Sequence, residues 1–254
     1  MAYNIISKLI EDSMKLNTNN YSSSITNFDE NLKLDNRKRY LQIAFNKDIS
    51  EVLSILPKIP KDKRILIEAG TPYIKKEGIN GVNIIKSMWD GYVVCDFKTI
   101  DGGREEVSLA AGAGANAITV LGSAPIETLN FFIEECEKYN IDSMIDMLGV
   151  NEPHKILIKL KKPPKIVILH KGRDEETTKG KTIAYKNVTK IRSKFNCIIS
   201  AAGGVNLREA RSAIFNGANI VVVNITSKNR YYDGIDIESQ DISQIANEFL
   251  KTIE

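Results

Sequence analysis

The feature that most constrains this chain is an alternation. From Arg39 onward, short runs rich in Ile and Val take turns with segments of helical period. The runs are Tyr40–Phe45, Ile65–Glu68, Tyr92–Phe97, Ala117–Leu121, Ser143–Leu148, Lys165–His170, Cys197–Ala202 and Asn219–Asn224. Between and after them lie Ser50–Leu56, Gly78–Met88, Glu105–Ala113, Ile126–Tyr139, Glu152–Lys161, Thr182–Lys194, Leu207–Asn216 and Ile242–Ile253. Strands that read as continuous apolar runs are buried on both faces, as in parallel sheets. Eight of them, each followed by a helix, predict an α/β chain closed into a (β/α)8 TIM barrel rather than an open doubly wound sheet. No GxGxxG follows the first strand, which argues against dinucleotide binding. The length of 254 residues suits one such barrel, which typically needs ~250 residues as a single domain.

The barrel is expected over residues 39–254. Residues 1–38 read as an N-terminal extension, with one amphipathic helix at Ile5–Leu16 and then an irregular linker rich in Asn and Ser; a disordered tail is the alternative for that composition. The net charge is only +3 and Lys and Arg are spread along the chain. That speaks against a nucleic-acid partner and for local attraction of an anionic substrate. No apolar run approaches the ~18 residues of a membrane span, and the N-terminus lacks the order of a signal peptide. Cys95, Cys136 and Cys197 are odd in number and widely spaced, so they read as reduced, apolar side chains of a cytoplasmic protein. Cys95, next to Asp96, is expected to point toward the helix layer.

In this architecture catalytic groups sit at the C-terminal ends of the strands, and polar residues of this chain collect there. Strand one ends in Asn46 and strand two in Glu68. Strand three ends in Asp96, with Lys98 and Asp101 beyond. Strand five carries Asp146, and strand six ends in His170 with Arg173 after it. Strand seven runs into Gly203 and Gly204, and strand eight ends in Asn224. Glu68 and Asp96 end neighbouring strands, ~4.8 Å apart in a sheet. They either share a hard cation such as Mg2+ or are structural carboxylates bridged by Lys98. Lys98, two residues from Asp96, is expected on the same side of the strand, among Asp96, Asp101 and Asn46. It reads either as a fixed ammonium for developing negative charge or as part of a solvated salt bridge. His170 is placed for proton transfer or is a hydrogen-bonded rim histidine. Asp146 positions water, shuttles a proton or is structural. Gly203–Gly204 leads toward a helix N-terminus and reads as an anion cradle or a plain turn. Arg173 contacts a phosphate or hydroxyl, or is an exposed loop residue.

The segments IEAGTPYIKKEG (Ile67–Gly78), DFKTIDGG (Asp96–Gly103), AGANAITVLG (Ala113–Gly122), HKGRD (His170–Asp174) and SAAGGVN (Ser200–Asn206) resemble those of 3-hexulose-6-phosphate synthases, archaeal members above all. These belong to the orotidine-monophosphate-decarboxylase-like barrels, with 3-keto-L-gulonate-6-phosphate decarboxylase as a close relative. The resemblance runs from Tyr40 to about Thr226. It implies a lyase that joins formaldehyde to D-ribulose 5-phosphate, reversibly, to give D-arabino-hex-3-ulose 6-phosphate. It further implies Mg2+ (or Mn2+) held by Glu68 and Asp96, a 1,2-enediolate supported by Lys98, and protons moved by His170. Phosphate would be held by Gly203–Gly204, and Asp101 would reach across a homodimer interface into the neighbouring site.

Two departures from that pattern stand out. Asn46 replaces the aspartate that ends the family's first strand, and VVVNITS, with Asn224, stands where relatives carry a Gly-rich turn after strand eight. They point to weaker phosphate affinity or a shifted substrate. Arg173 resembles the HxxR arrangement of the decarboxylase relative. The alternatives to the aldolase reading are therefore a decarboxylase of a 3-keto sugar acid 6-phosphate on the same scaffold, and a non-catalytic metabolite-binding barrel.

Overall fold

Each of the eight apolar runs forms a strand, and every strand pairs in parallel with the next. The computed structural model describes residues 32–178, 180–226, 234–236 and 241–254. The expected N-terminal helix and the linker up to residue 31 fall outside the described residues, as does the chain just after Thr226. Residues Leu34–Glu254 make up one unit. Its strands are β1 (Tyr40–Phe45), β2 (Ile65–Ala69), β3 (Tyr92–Thr99), β4 (Ala117–Leu121), β5 (Asp142–Asp146), β6 (Ile166–His170), β7 (Ile198–Ala202) and β8 (Ile220–Thr226). β1 pairs with β2 on one edge and with β8 on the other, from Tyr40↔Ile220 to Ala44↔Asn224, so the sheet closes into a (β/α)8 barrel. A two-residue strand, β9 (Ile235–Asp236), adds to the end of β8.

The side-chain period of two along each strand separates an outer layer from the lumen. On β1, Leu41, Ile43 and Phe45 join the apolar layer between strands and helices, while Gln42 and Asn46 line the mouth. Cys95 lies in the outer layer as expected, and all three cysteines are buried free thiols. The outer layer also takes Tyr73, Phe132 and Phe249 from the helices, each essentially inaccessible. Burying side chains of this kind stabilises by about 1.5–3 kcal/mol apiece, which fixes the barrel that carries the loops.

The surrounding helices are α1 (Ile49–Ile55), α2 (Thr71–Met88), α3 (Gly103–Gly112), α4 (Ile126–Lys138), α5 (Pro153–Leu157), α6 (Arg173–Glu176), α7 (Lys186–Arg192), α8 (Leu207–Phe215) and α9 (Ile242–Thr252). Three depart from the sequence expectation. α2 starts at Thr71, with Pro72 in its first turn, because proline's fixed φ suits a helix start. Gly78, read from sequence as the start, is a kink inside it at φ 62°. α5 is shorter than Glu152–Lys161. The segment after β6, expected to become helical near Thr182, already makes the short turn α6 directly above the barrel mouth. No helix among the described residues is long and apolar enough to cross a membrane.

Candidate active site

The polar strand ends converge on a cleft of about 620 Å³ at the C-terminal mouth of the barrel. Glu68, Asp96, Lys98, Asp146 and His170 all line it, with Asn46, Arg173, Gly203 and Asn224 around the rim. Two expected site residues do not line the cleft: Gly204, beside Gly203 in the turn after β7, and Asp101. Asp101 is exposed, beyond the end of β3, and does not line the cleft of its own chain.

Asp96 and Lys98 reach the lumen together by a route the sequence did not reveal. Between Cys95 and Thr99 β3 advances four residues, while its partner β4 advances only two, from Ile118 to Val120. The excess is a bulge, and Lys98 takes a left-handed backbone at φ 50° within it. A long side chain there costs on the order of 1–3 kcal/mol and persists only when its surroundings hold it. Here the hold is Thr119 on β4. The Lys98 N–H donates to Thr119 Oγ1 at 2.9 Å, and that hydroxyl donates to Asp96 Oδ1 at 2.7 Å. The bulge thus re-aims two neighbouring charged residues into one space.

The ammonium of Lys98 donates to Asp96 Oδ1 at 3.0 Å, Asp96 Oδ2 at 2.9 Å and Asp146 Oδ2 at 2.8 Å. Its neighbours are therefore Asp96 and Asp146, not Asp101 and Asn46. Burial alone would lower the lysine pKa, but the two carboxylates outweigh it and hold the pKa above its ordinary value. Asp146 is fully buried. Burial would raise its pKa, yet the charges and hydrogen bonds of His170 and Lys98 keep it well below the usual carboxylate range. Asp146 Oδ2 also meets His170 Nδ1 at 2.8 Å. An ionised carboxylate only accepts, so Nδ1 carries the hydrogen and Nε2 is left for chemistry in the cleft. Burial opposes the imidazolium, and Asp146 more than compensates, leaving the His170 pKa raised.

Because the histidine value is raised in the folded protein, the stability it contributes is complete below pH ~6.5 and is lost as pH rises through the folded value. In Asp146→Asn the compensation goes and burial remains, so the His170 pKa should fall below that of the unmodified protein. NMR titration of the ring protons reads this directly, since His154 is the only other histidine. A His170 titration unchanged in Asp146→Asn would contradict the pairing.

Glu68 is buried and lies beside Asp96. Burial, and after it the negative charge of Asp96, push its pKa up to about 7. Gln42, on β1 four residues before Asn46, donates to Glu68 Oε2 at 2.5 Å. Asp96 is met by Lys98, Thr119 and Thr71, so Glu68 is the under-compensated member of the pair, and a hard cation relieves such a charge. Among the described residues no group of three or more acidic, histidine or cysteine side chains surrounds one point. A pair is enough for Mg2+, which keeps water and substrate oxygens as its remaining ligands. The Thr71 hydroxyl has one hydrogen and two acceptors, Asp96 Oδ2 at 2.7 Å and the Asp96 backbone carbonyl at 2.8 Å. Turning it to the carbonyl frees an Asp96 lone pair.

The rim differs in kind. Asn46 Nδ2 donates to Asn224 Oδ1 at 3.0 Å, so the two asparagines that depart from the expected pattern bond to each other across the β1–β8 seam. Gly70 lets them do so: a Cβ there would fall 2.3 Å from Asn46 Oδ1. Gly203 and Gly204 both have positive φ, and a Cβ on Gly203 would overlap the Lys171 carbonyl at 1.9 Å, so only glycine permits this turn to pack against the loop after β6. Sequence reading missed Gln42, Thr71, Thr119 and Glu176. The first and third were detectable as single polar residues inside apolar strands, in phase with the lumen-facing ends. Glu176 carried no such signal.

Comparison with known proteins places these features among relatives. Residues 39–224 match the family model "Orotidine 5'-phosphate decarboxylase / HUMPS family". The chain is 39% identical over 192 residues to the "Bifunctional enzyme Fae/Hps" of Methanocaldococcus jannaschii, covering 75% of this chain and 49% of that protein. It thus spans about half the length of such relatives. A solved structure of 3-hexulose-6-phosphate synthase superposes with a TM-score of 0.71 at 26% identity, over 85% of this chain and all of the other. The Salmonella typhimurium synthase, at 23% identity, shares the fold with a TM-score of 0.72 over 84% of this chain and 98% of that one.

Proposed function

Since the chain belongs to the orotidine 5'-phosphate decarboxylase / HUMPS family, we propose that it is a Mg2+-dependent aldolase-type lyase of the 3-hexulose-6-phosphate synthase kind. It condenses formaldehyde with D-ribulose 5-phosphate to D-arabino-hex-3-ulose 6-phosphate, reversibly. The observation that carries this reading is the pair of buried carboxylates, Glu68 and Asp96, packed beside a lysine held in its charged form at the mouth of a barrel. The named synthase relatives support the choice of substrates.

In the condensation, C1 of the pentulose loses a proton, the 1,2-enediolate attacks the formaldehyde carbon, and the new alkoxide takes up a proton. Glu68 and Asp96 would hold Mg2+ (or Mn2+), which when bound supplies charge stabilisation for the substrate oxygens. Lys98 stabilises the developing negative charge from a fixed position, so no reorganisation is needed as the charge forms. His170, oriented by Asp146, takes and returns protons through Nε2. The Gly203–Gly204 turn, with Arg173 near it, receives the phosphate. Asp101, exposed on its own chain, serves the site of a second copy in a homodimer. The protein works in the cytoplasm.

One observation favours a second reading. Arg173 lines the cleft three residues after His170, and a cation there suits the carboxylate of a 3-keto sugar acid 6-phosphate, whose decarboxylation passes through the same kind of enediolate. Direct assay separates the two. Formaldehyde release from the hexulose phosphate, dependent on Mg2+, is expected; CO2 release from keto-gulonate phosphate without formaldehyde chemistry would replace the first reading with the second.

A further inference from the structure

Glu176 closes α6, the short turn above the mouth, and it leans into the same cleft as Gly203. A Cβ on Gly204 would lie 3.3 Å from Glu176 Oε2 and 3.1 Å from Lys171 Nζ. The Gly204 N–H and the Lys171 ammonium both favour the charged carboxylate. Even so, Oε2 is buried without a hydrogen-bond partner, and burial leaves the group with a raised pKa. A carboxylate of the same chain therefore stands beside the Gly203–Gly204 turn, the segment assigned above to the phosphate. A carboxylate and a phosphate in one small space repel, and the low dielectric of a closed cleft strengthens that repulsion.

We propose that Glu176 is an internal competitor for the phosphate end of the cleft, and that it sets the affinity for phosphorylated substrates by placing its carboxylate beside Gly204 and Lys171 until a phosphate displaces it. The proposal rests on the reading of this cleft as a sugar-phosphate site. The displaced group has somewhere to go: α6 is a single turn, and Asp174, Thr177 and Thr178 around it are exposed. Glu176 discriminates by charge. It opposes a phosphate at this end more than a neutral sugar terminus, so selectivity for the phosphorylated ketose depends on the opposing pull of Lys171, Arg173 and His170, the charged groups that act on it.

The test is calorimetric titration of the full chain with inorganic phosphate, alongside the KM for ribulose 5-phosphate. In Glu176→Gln the shape is kept and the charge removed, so phosphate should bind about tenfold tighter, with the kinetic effect falling on KM rather than kcat. Glu176→Ala should move binding in the same direction and serves if the glutamine variant does not fold. Phosphate affinity equal to, or weaker than, that of the unmodified protein in both variants would overturn the proposal. Tighter phosphate binding in the variants with no turnover of ribulose 5-phosphate by any form would support it while removing the lyase reading, so the two can fail separately.

Discussion

Lys98→Met should lower kcat/KM by about 10²–10³-fold, the usual consequence of removing one preorganised donor from a developing oxyanion. It should also destabilise the fold by about 3–5 kcal/mol, because taking one partner from a buried ion cluster strands the others. The groups that lose a charge partner are Asp96, left with hydroxyl donors, and Asp146, left with His170 alone as a cation; both are buried and bonded to the lysine ammonium. The two effects can be separated. Adding Asp146→Asn to Lys98→Met removes one stranded charge, so part of the lost stability should return while activity does not. Urea unfolding and steady-state kinetics on the single and double variants check this. A Lys98→Met protein with undiminished turnover would mean that the ammonium is structural only.

Glu68→Gln should have the opposite effect on stability and a similar one on catalysis. In the metal-free protein Glu68 has a folded pKa of about 7, raised from its ordinary value of 4.5 by burial and by Asp96. A raised folded value means the stability linked to this group is full below the unfolded pKa and lost as pH rises through about 7. At pH 8 the ionised side chain is a liability, so the glutamine variant without metal should melt higher, by about 2–4 °C for each kcal/mol relieved in a domain of this size. At pH 4 the two proteins should melt alike. Mg2+ should raise the melting temperature of the unmodified protein, more at pH 8 than at pH 5, and leave the variant unmoved. Metal-dependent turnover should fall at least as far as in Lys98→Met, with the fold retained, since the residue lies at the catalytic face. Equal Mg2+ shifts in both proteins would take Glu68 out of the cation site.

The barrel was legible because continuous Ile and Val runs leave a parallel strand little freedom: Tyr40–Phe45 and Ala117–Leu121 match their strands end to end. Most of the site was legible for the same reason, since the strand ends pointed to Glu68, Asp96, Asp146 and His170. What the sequence hid were the partnerships. Lys98 was expected to reach the lumen by simple alternation; it does so through a two-residue bulge, and bulges depend on register between strands that are distant in sequence. Its companion therefore proved to be Asp146 from β5 rather than Asp101 three residues on. The Asn46–Asn224 bond joins the first strand to the last, a contact that exists only once the sheet closes. Glu176 escaped notice because an acidic residue in a polar loop has no period, and only the fold sets it against Gly204.

Under the proposed function this barrel stabilises an enediolate of a phosphorylated ketose with a cation between Glu68 and Asp96. Proton NMR of ribulose 5-phosphate in D2O with the enzyme, with Mg2+ or with a chelator and without formaldehyde, tests it most directly. One of the two C1 hydrogens should be replaced by deuterium with Mg2+, while both should persist with the chelator and in Glu68→Gln under both conditions. Exchange at the same rate with metal and with chelator, or no exchange in the presence of Mg2+, would contradict it.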